Sequence, residues 1–258
     1  MLQQCKQFTL ILIGNGNFLL HQNLTVPMVD TTATELDSAS INFLCWNIQK
    51  GLKLNWQEDL SDLANGKDLV IIQEAVLHSD LTEAFSKSVH WSFAKGYKTK
   101  KHTTGVMTIS KYEPIRRHQL ICWEPWLATP KCTNITEYAL SDTEETLVVV
   151  NIHAINFTLG LKQFCRQIDK IRKELAKHNG PIILSGDFNT WRKKRMKIID
   201  AFAVEHQLNA LSFQEDHRKA VFGQVLDHVY VRALTPESTD TYNVNSSDHN
   251  PISAELRF

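Results

Sequence analysis

The chain has 258 residues, of which 43% are hydrophobic and 22% are charged, so it has an ordinary globular composition and enough length to bury a substantial core. Lys and Arg together number 28, as do Asp and Glu, which makes the formal net charge zero. This balance argues against a protein that coats nucleic acid nonspecifically, because such proteins carry a basic excess. Any polyanionic substrate must therefore be attracted by a local basic patch or a bound cation.

Residues 1–40 are interpreted as an N-terminal extension and polar connector. The apolar run at 8–13 is too short to span a membrane, and it gives only weak grounds for an export signal. The five cysteines are scattered without a CxxC pair, which argues against a zinc site or a disulfide scaffold. We therefore expect a cytoplasmic monomer without a membrane span, and a weak export signal is the open alternative.

From residue 41 onward, short apolar runs alternate with helical patterns. Strands are predicted at Ile41–Ile48, Leu69–Gln73, Gly105–Ser110, Thr146–Ile152, Pro181–Ser185, His228–Val231 and Ile252–Leu256. Helices are predicted over 55–64, 161–175 and 196–203, and Gly180-Pro181 ends the second of them. Several strands follow one another without a helix between them, which favours two packed sheets flanked by helices. The chain has no dinucleotide-binding or Walker motif.

The sharpest local motif is Ser185-Gly186-Asp187-Phe188-Asn189, which directly follows a predicted strand. Glycine permits a tight turn, so the carboxylate and the amide can project into the same crevice. Asp187 can activate or position a water molecule, while the Asn189 amide can donate to charge that develops on a phosphate. Considered alone, the motif is equally compatible with an ordinary turn, since Gly, Asp and Asn are the commonest turn residues.

A second motif, Ser247-Asp248-His249, precedes the last predicted strand. It places an oxygen ligand for a hard cation beside an imidazole that titrates near neutral pH. Asp227 precedes another predicted strand. If the two strands are neighbours, Asp227 can fix the tautomer of His249 and raise its basicity.

Three further polar residues, Asn47, Glu74 and His153, interrupt or end predicted strands. A single polar residue on a strand is usually a satisfied structural group, but the recurrence of Asn, Asp, Glu and His at strand ends indicates a shared site. Mg²⁺ prefers oxygen ligands, usually one or two carboxylates, so Asn47, Glu74 and Asp248 form a suitable set. Zinc would require more His or Cys.

The motifs are Trp46-Asn47-Ile48-Gln49, Gln73-Glu74, Asn151-Ile152-His153, Gly186-Asp187-Phe188-Asn189, Asp227-His228 and Ser247-Asp248-His249. Together they resemble the endonuclease/exonuclease/phosphatase superfamily of DNase I-like and exonuclease III-like proteins. The resemblance covers residues 41–258, which we interpret as one catalytic domain. It is greatest for a small bacterial branch of YafD-like proteins, as the runs Asn151–Gly160, Gly186–Trp191 and Ser247–Pro251 indicate.

The resemblance implies a four-layered α/β sandwich of two packed mixed β-sheets flanked by helices, with the site at one edge of the sheets. The metal ligands that it implies for Mg²⁺ or Mn²⁺ are Asn47, Glu74 and Asp248. It further implies that Asp187 orients or deprotonates the attacking water, and that His249, backed by Asp227, has an acid/base or charge-stabilising role. Asn189 and His153 would bind the phosphoryl oxygens.

One departure concerns the substrate. The abasic-site enzymes of the superfamily supply a tyrosine from mid-chain, where this chain has only His102-Thr103-Thr104-Gly105 in about the corresponding place, and their DNA-penetrating loops are not recognisable. Trp191 and Arg192 begin a basic run beside the Asp187 motif that can stack a base and bind a phosphate backbone, or bind an anionic lipid head group. A solvated helix face explains the same run.

A phosphodiesterase acting on nucleic acid is therefore the favoured hypothesis. A phosphatase or lipid phosphodiesterase of the same superfamily is the alternative. An inactive binding module has least support, because none of the matched residue types has been replaced.

Overall fold

The computed structural model of the chain describes residues 34–77, 89–98, 102–125, 127, 129–158 and 160–258. The strands in these ranges are β1 (Ile41–Asn47), β2 (Leu69–Leu77), β3 (His90–Lys98), β4 (Thr103–Ser110), β5 (Arg116–Trp123), β6 (Pro130–Ala139), β7 (Thr146–His153), β8 (Ile182–Asp187), β9 (Asn209–Ala210), β10 (Ala220–Val221), β11 (Gln224–Val225), β12 (Asp227–Arg232), β13 (Thr235–Thr241) and β14 (Ile252–Arg257). The helices are α1 (Trp56–Ala64), α2 (Lys162–Leu175) and α3 (Lys193–Glu205), and a 3-10 turn covers Gln49–Gly51.

The strands form two mixed sheets, each with one parallel pair at its centre. The first sheet has the order β13-β14-β1-β2-β4-β3, and the second has the order β5-β6-β7-β8-β12-β9. The parallel pairs are β1 with β2 and β7 with β8, and the other strand pairs are antiparallel. A separate hairpin of β10 and β11 precedes β12. The ends of the two parallel pairs decide where the polar side chains meet.

The sheets pack face to face, and helices cover their outer faces. Phe43 and Ile71 of the first sheet share one core with Val149 of the second sheet. The alternating residues of the strands point outward: Leu44 packs with α1, and Val148 packs with α2 and α3. Because the central strands are buried on both faces, they appear in the sequence as nearly continuous apolar runs. The predicted four-layered α/β sandwich is confirmed.

All of the predicted strands and helices are present, with bounds that shift by a few residues. The sequence pattern did not predict β3, β5, β6 and β13, which lie towards the edges of the two sheets, or the two-residue strands β9, β10 and β11. Residues 1–33 of the predicted extension lie outside the described residues. Within the predicted connector, Leu36 is buried in the core between the sheets, and its N–H donates to Ala139 O at 2.9 Å.

Two other expectations concern the described part of the chain. Its helices include none that is both long enough and apolar enough to cross a membrane. The cysteines in the described ranges, Cys45, Cys122, Cys132 and Cys165, are free thiols.

Candidate active site

The ends of the central strands line a cleft of about 650 Å³ at one edge of the two sheets. The predicted site residues that line it are Glu74, His153, Asp187, Asn189, Asp248 and His249. Asn47 and Asp227 lie directly behind them, in contact with Asp187 and His249 respectively. The structure therefore brings together eight residues that the sequence spreads over about two hundred positions.

Asp187 lies at the centre of this cluster and is almost fully buried. Its Oδ2 accepts a hydrogen bond from Asn47 Nδ2 at 3.1 Å, and its Oδ1 accepts one from the backbone N–H of Asn189 at 2.9 Å. His153, its register partner on β7, places Nε2 3.5 Å from Oδ2. Burial is the largest influence on the Asp187 carboxyl and, together with the Asp227 charge, raises its pKa to about 6. The carboxylate therefore retains appreciable basicity near neutral pH.

Close strand packing fixes the position of Asp187. Gly186 has φ +143°, and a Cβ built on it would lie 2.0 Å from the carbonyl oxygen of Ile152 on β7. Glycine is therefore required both by the backbone conformation and by the approach of the neighbouring strand. The next residues complete the turn, where Asn189 adopts φ 51°.

Asp227 and His249 form the hydrogen-bonded pair that the sequence suggested. His249 Nδ1 lies 2.7 Å from Asp227 Oδ2, and both side chains are buried. Burial opposes protonation of the imidazole, but the Asp227 charge and hydrogen bond outweigh it and raise the pKa of His249 to about 10. Trp46 Nε1 donates to His249 O at 2.9 Å and fixes the loop. His249 thus presents a positive charge to Asp187 at neutral pH.

The oxygen donors of Asn47, Glu74 and Asp248 fit a hard divalent cation. A register irregularity in the pairing of β2 with β4 spans Glu74, which adopts φ 52°, so local strain directs this carboxylate. Its Oε2 is buried without a hydrogen-bond partner, although Lys50 Nζ lies 3.2 Å away. Within the described residues this oxygen has one ion-pair partner and no hydrogen bond, and with the Asp248 carboxylate lining the same cleft it suits an oxygen-liganded ion. Asp187, Asp227 and His249 also lie close enough together to hold a metal ion.

Lys131 is a cleft residue that the sequence analysis missed. Its Nζ lies 2.7 Å from His153 Nε2, and within the described part of the chain it forms no ion pair with a carboxylate. Burial first, and then the nearby Lys131 charge, holds the pKa of His153 well below its usual range. His153 is therefore neutral, and its Nε2 accepts from the lysine. No local signal marks Lys131, because its strand was not predicted.

Trp191 and Arg192 lie beside the cleft rather than in its lining. Trp191 Nε1 donates to Asn156 Oδ1 at 2.9 Å, and the guanidinium of Arg192 lies 4.2 Å from the indole centroid. The basic run that they begin is not a uniform surface patch. Arg195 is buried and donates to the carbonyl oxygens of Ile155 and Asn189. Its role is structural, and the available cationic surface is smaller than the sequence suggested.

The chain belongs to the Endonuclease/Exonuclease/phosphatase family, whose sequence profile matches residues 44–249. A UPF0294 protein from Vibrio campbellii is 37% identical over 218 residues, which cover 82% of this chain and 76% of that protein. This similarity confirms the predicted YafD-like branch. Family membership supports phosphoester hydrolysis as the general activity.

Solved structures show the same fold. An endonuclease/exonuclease/phosphatase family protein from Leptotrichia buccalis gives a TM-score of 0.62 at 17% identity, over 84% of this chain and all (100%) of that one. The human Nocturnin catalytic domain gives a TM-score of 0.64 at 16% identity, over 87% of this chain and 96% of that one. At these identities the similarity establishes the architecture alone.

Proposed function

We propose that this protein is a divalent-metal-dependent phosphodiesterase that uses an activated water molecule. The observation that carries the proposal is the buried Asp187 carboxylate, which is held by Asn47 and Asn189 and faces the Asp227–His249 pair. A basic carboxylate beside a protonated imidazole combines a proton acceptor with a stabiliser of negative charge. This arrangement suits hydrolysis of a phosphoester better than simple ligand binding.

Each residue has a distinct task in the proposed reaction. Asp187 orients the water and accepts its proton, while the positively charged His249 stabilises charge on the phosphoryl group and supplies a proton to the departing alcohol. Asn189 donates one amide hydrogen to Ala154 O at 3.1 Å, and within the described residues the other has no acceptor, so it can donate to a phosphoryl oxygen. Because neutral His153 accepts from Lys131, we assign phosphoryl binding to the lysine and its positioning to the histidine.

Asn47, Glu74 and Asp248 would hold the cation, and Mg²⁺ or Mn²⁺ suits their oxygen atoms. When bound, such a cation neutralises charge on the phosphoryl oxygens. Asn47 connects the proposed cation site with the proposed base. Its Nδ2 donates to Asp187, while its Oδ1 accepts from the backbone N–H of Gln49 at 3.1 Å. The ligand set stays a proposal, as does the preference for these ions.

Nucleic acid is the substrate that the sequence favours, on the strength of Trp191 and Arg192 beside the catalytic turn. The burial of Arg195 weakens that argument, because it removes one cation from the proposed patch. Cytoplasmic location and a monomeric state likewise stay predictions. The proposed reaction at the phosphorus atom is the same whichever two alcohol groups the phosphodiester joins.

Hydrolysis of bis-p-nitrophenyl phosphate and p-nitrophenyl phosphate, each with Mg²⁺ or Mn²⁺, tests the proposal. We expect the diester to be the better substrate, and chelation by EDTA to abolish turnover. Asp187→Asn should lower kcat by roughly 10²-fold or more, while Asp200→Asn, an exposed carboxylate change on α3, should not. Absence of turnover on both compounds with both metals would refute the activity. Full activity of Asp187→Asn would refute the assigned base.

A further inference from the structure

Exposed apolar side chains surround the mouth of the cleft. Leu52, Leu127 and Phe157, which line it, are 72%, 54% and 57% exposed. They belong to the loops that follow β1, β5 and β7, so loops of both sheets contribute to the same rim. Single exposed apolar residues are ordinary on protein surfaces, but a cluster around a polar cleft indicates a contact surface.

The β10–β11 hairpin extends this rim with a conformationally strained residue. Phe222 forms the hairpin tip with Gly223, is 85% exposed and adopts φ 51°. A bulky residue at positive φ is unfavourable, and exposure of its ring to water adds to the cost. Neighbouring Val221 lines the cleft, and the Phe222 ring lies 6.4 Å from that of Trp191. A strained apolar tip beside a catalytic cleft favours a role in contact with a partner.

Aromatic residues with a polar group and several cations lie at the same edge. Tyr97, which lines the cleft, is 47% exposed at the end of β3, and Trp123 is 61% exposed at the end of β5, paired with Pro130. Lys50 and Lys219 line the cleft, and exposed Arg192 lies on Trp191. These side chains match the layers of an anionic lipid surface. The apolar tips suit the hydrocarbon, Tyr and Trp suit the interface, and the cations suit the anionic head groups.

We propose that this rim, formed by Leu52, Leu127, Phe157 and Phe222, docks on an anionic phospholipid membrane and that the cleft hydrolyses a lipid phosphodiester. The inference rests on the proposed phosphodiesterase function and names its substrate class. Water adds to phosphorus and one ester P–O bond breaks. The alcohol leaves with a proton, and a phosphomonoester remains. The apolar rim holds the acyl region of the bilayer while Lys131 and His249 contact the phosphate.

The rim favours lipid over single-stranded nucleic acid because of its aliphatic members. Bases stack on aromatic faces, and a basic groove follows the nucleic-acid backbone. Leu52, Leu127 and the neighbouring Leu54, which is 86% exposed, offer no such faces. These side chains lose unfavourable contact with water in a bilayer, and a nucleic acid provides no comparable environment.

Vesicle flotation of the full chain tests the docking surface. The vesicles contain phosphatidylethanolamine and phosphatidylglycerol, and a second set contains phosphatidylcholine alone. We expect the wild type to float with the anionic vesicles and less with the neutral ones. The double variant Leu52→Gln/Phe222→Gln should partition roughly ten-fold more weakly, since two exposed apolar side chains are lost. The control Ile115→Gln/Val204→Gln changes residues that are 60% and 80% exposed away from the cleft, and should float like the wild type.

Asp187→Asn should also float normally, because flotation needs no turnover. Failure of the wild type to float, or flotation of the rim double variant like the wild type, would overturn the docking surface and leave the bis-p-nitrophenyl phosphate test standing. Normal flotation of a protein that hydrolyses no phosphoester would sink the enzymatic proposal alone. Rim-dependent binding of a single-stranded oligonucleotide without vesicle binding would assign the surface to nucleic acid. Rim-dependent dimers in gel filtration, again without vesicle binding, would assign it to self-association.

Discussion

Gly186 shows how one residue determines the geometry of the site. A Cβ at this position would lie 2.0 Å from Ile152 O, and the backbone has φ +143°. Gly186→Ala must therefore push β8 away from β7 next to the His153–Asp187 register pair. We expect the free energy of unfolding to fall by roughly 3 kcal/mol, as for a severe overpacking change, with loss of activity. Urea unfolding and bis-p-nitrophenyl phosphate hydrolysis measure the two effects.

Gly160 provides a matched control. A Cβ at Gly160 would meet no atom of the described residues within 4 Å, its chain neighbours aside, and its φ lies outside the left-handed region. Gly160→Ala should therefore leave stability unchanged or raise it slightly, by roughly 0.5 kcal/mol. Equal stability of the two variants would contradict the close β7–β8 contact.

Lys131 should contribute to phosphate binding through its position beside His153. We expect Lys131→Met to lower kcat/KM by roughly 10- to 100-fold, since one charge-assisted hydrogen bond to the substrate is lost. Inorganic phosphate should also inhibit this variant more weakly, whereas Lys131→Arg should retain part of both properties. Lys197→Met, at an exposed position on α3, is the control. Unchanged kcat/KM and unchanged phosphate inhibition in Lys131→Met would exclude the proposed role.

At the residue scale, the sequence was informative where functional residues are neighbours in the chain. Asp187 with Asn189, and Asp248 with His249, form short motifs next to predicted strands, and their recurrence with other polar strand-end residues predicted a shared site. Lys131 has no such neighbour. Its approach to His153 depends on the antiparallel pairing of β6 with β7, in which Thr133 faces Ile152. That pairing is a long-range property that no local pattern encodes.

At the scale of elements, two buried charged residues hold the segment after β7. Arg195, near the start of α3, donates to Ile155 O at 2.7 Å and to Asn156 O at 2.6 Å. Glu124, after β5, accepts from the N–H groups of Asn156 at 2.5 Å and Phe157 at 3.2 Å. Both the N–H and the C=O groups of residues 155–157 are thus bonded, so α3 and the end of β5 together fix the loop that follows His153 and carries Phe157 to the rim.

Arg195→Met should therefore destabilise the fold although it introduces an apolar side chain. Several buried carbonyl oxygens would lose their donor, and we expect a loss of roughly 3 kcal/mol in the free energy of unfolding. Lys194→Met changes the exposed neighbour and should alter stability by less than about 0.5 kcal/mol. Urea denaturation of both variants gives the comparison. A loss in Arg195→Met no greater than in Lys194→Met would contradict the bonding of the loop.

The strands that were not predicted, such as β6 and β13, have no continuous apolar run in the sequence. β6 buries Thr133, Asn134 and Thr136 between its neighbours, and Asn134 donates to Thr108 Oγ1 and Ser92 O, so a polar strand lies inside the molecule. Its composition therefore resembles that of a loop. β13 is an edge strand with mostly exposed residues, which gives it no apolar run. By contrast, the central strands are apolar on both faces, and their pattern alone predicted them.

At the scale of the whole molecule, the charge balance conceals an uneven distribution. The chain is neutral overall, yet carboxylates and cations line the same cleft, where Lys50 Nζ lies 3.2 Å from Glu74 Oε2. A neutral molecule exerts little long-range attraction on a polyanion, so recognition must occur at short range. Composition alone predicts this limitation, but the relative positions of charges and apolar side chains around the cleft required the three-dimensional fold.

Buried titrating groups also determine how the whole molecule responds to acid. His228 packs against the rings of Phe188 and Tyr230, and its Nε2 lies 3.1 Å from Val225 O. Burial is the main cause that lowers the pKa of His228 to about 4, Arg218 adds to the shift, and Asp227 and Asp216 oppose it. Between pH 6.5 and about 4, the unfolded chain binds more protons at this position than the folded chain. Stability must therefore fall as the pH falls through this range.

The shift corresponds to a loss of about 3 kcal/mol over the full interval, since each pKa unit is worth about 1.4 kcal/mol. His228→Phe removes the titration and keeps an aromatic ring, at a cost of roughly 1 kcal/mol at neutral pH for the lost hydrogen bond. Urea unfolding at several pH values should show a smaller acid loss for this variant than for the wild type. An equally steep acid loss in His228→Phe would mean that other groups carry the acid sensitivity, because a residue that no longer titrates cannot contribute to the difference in bound protons.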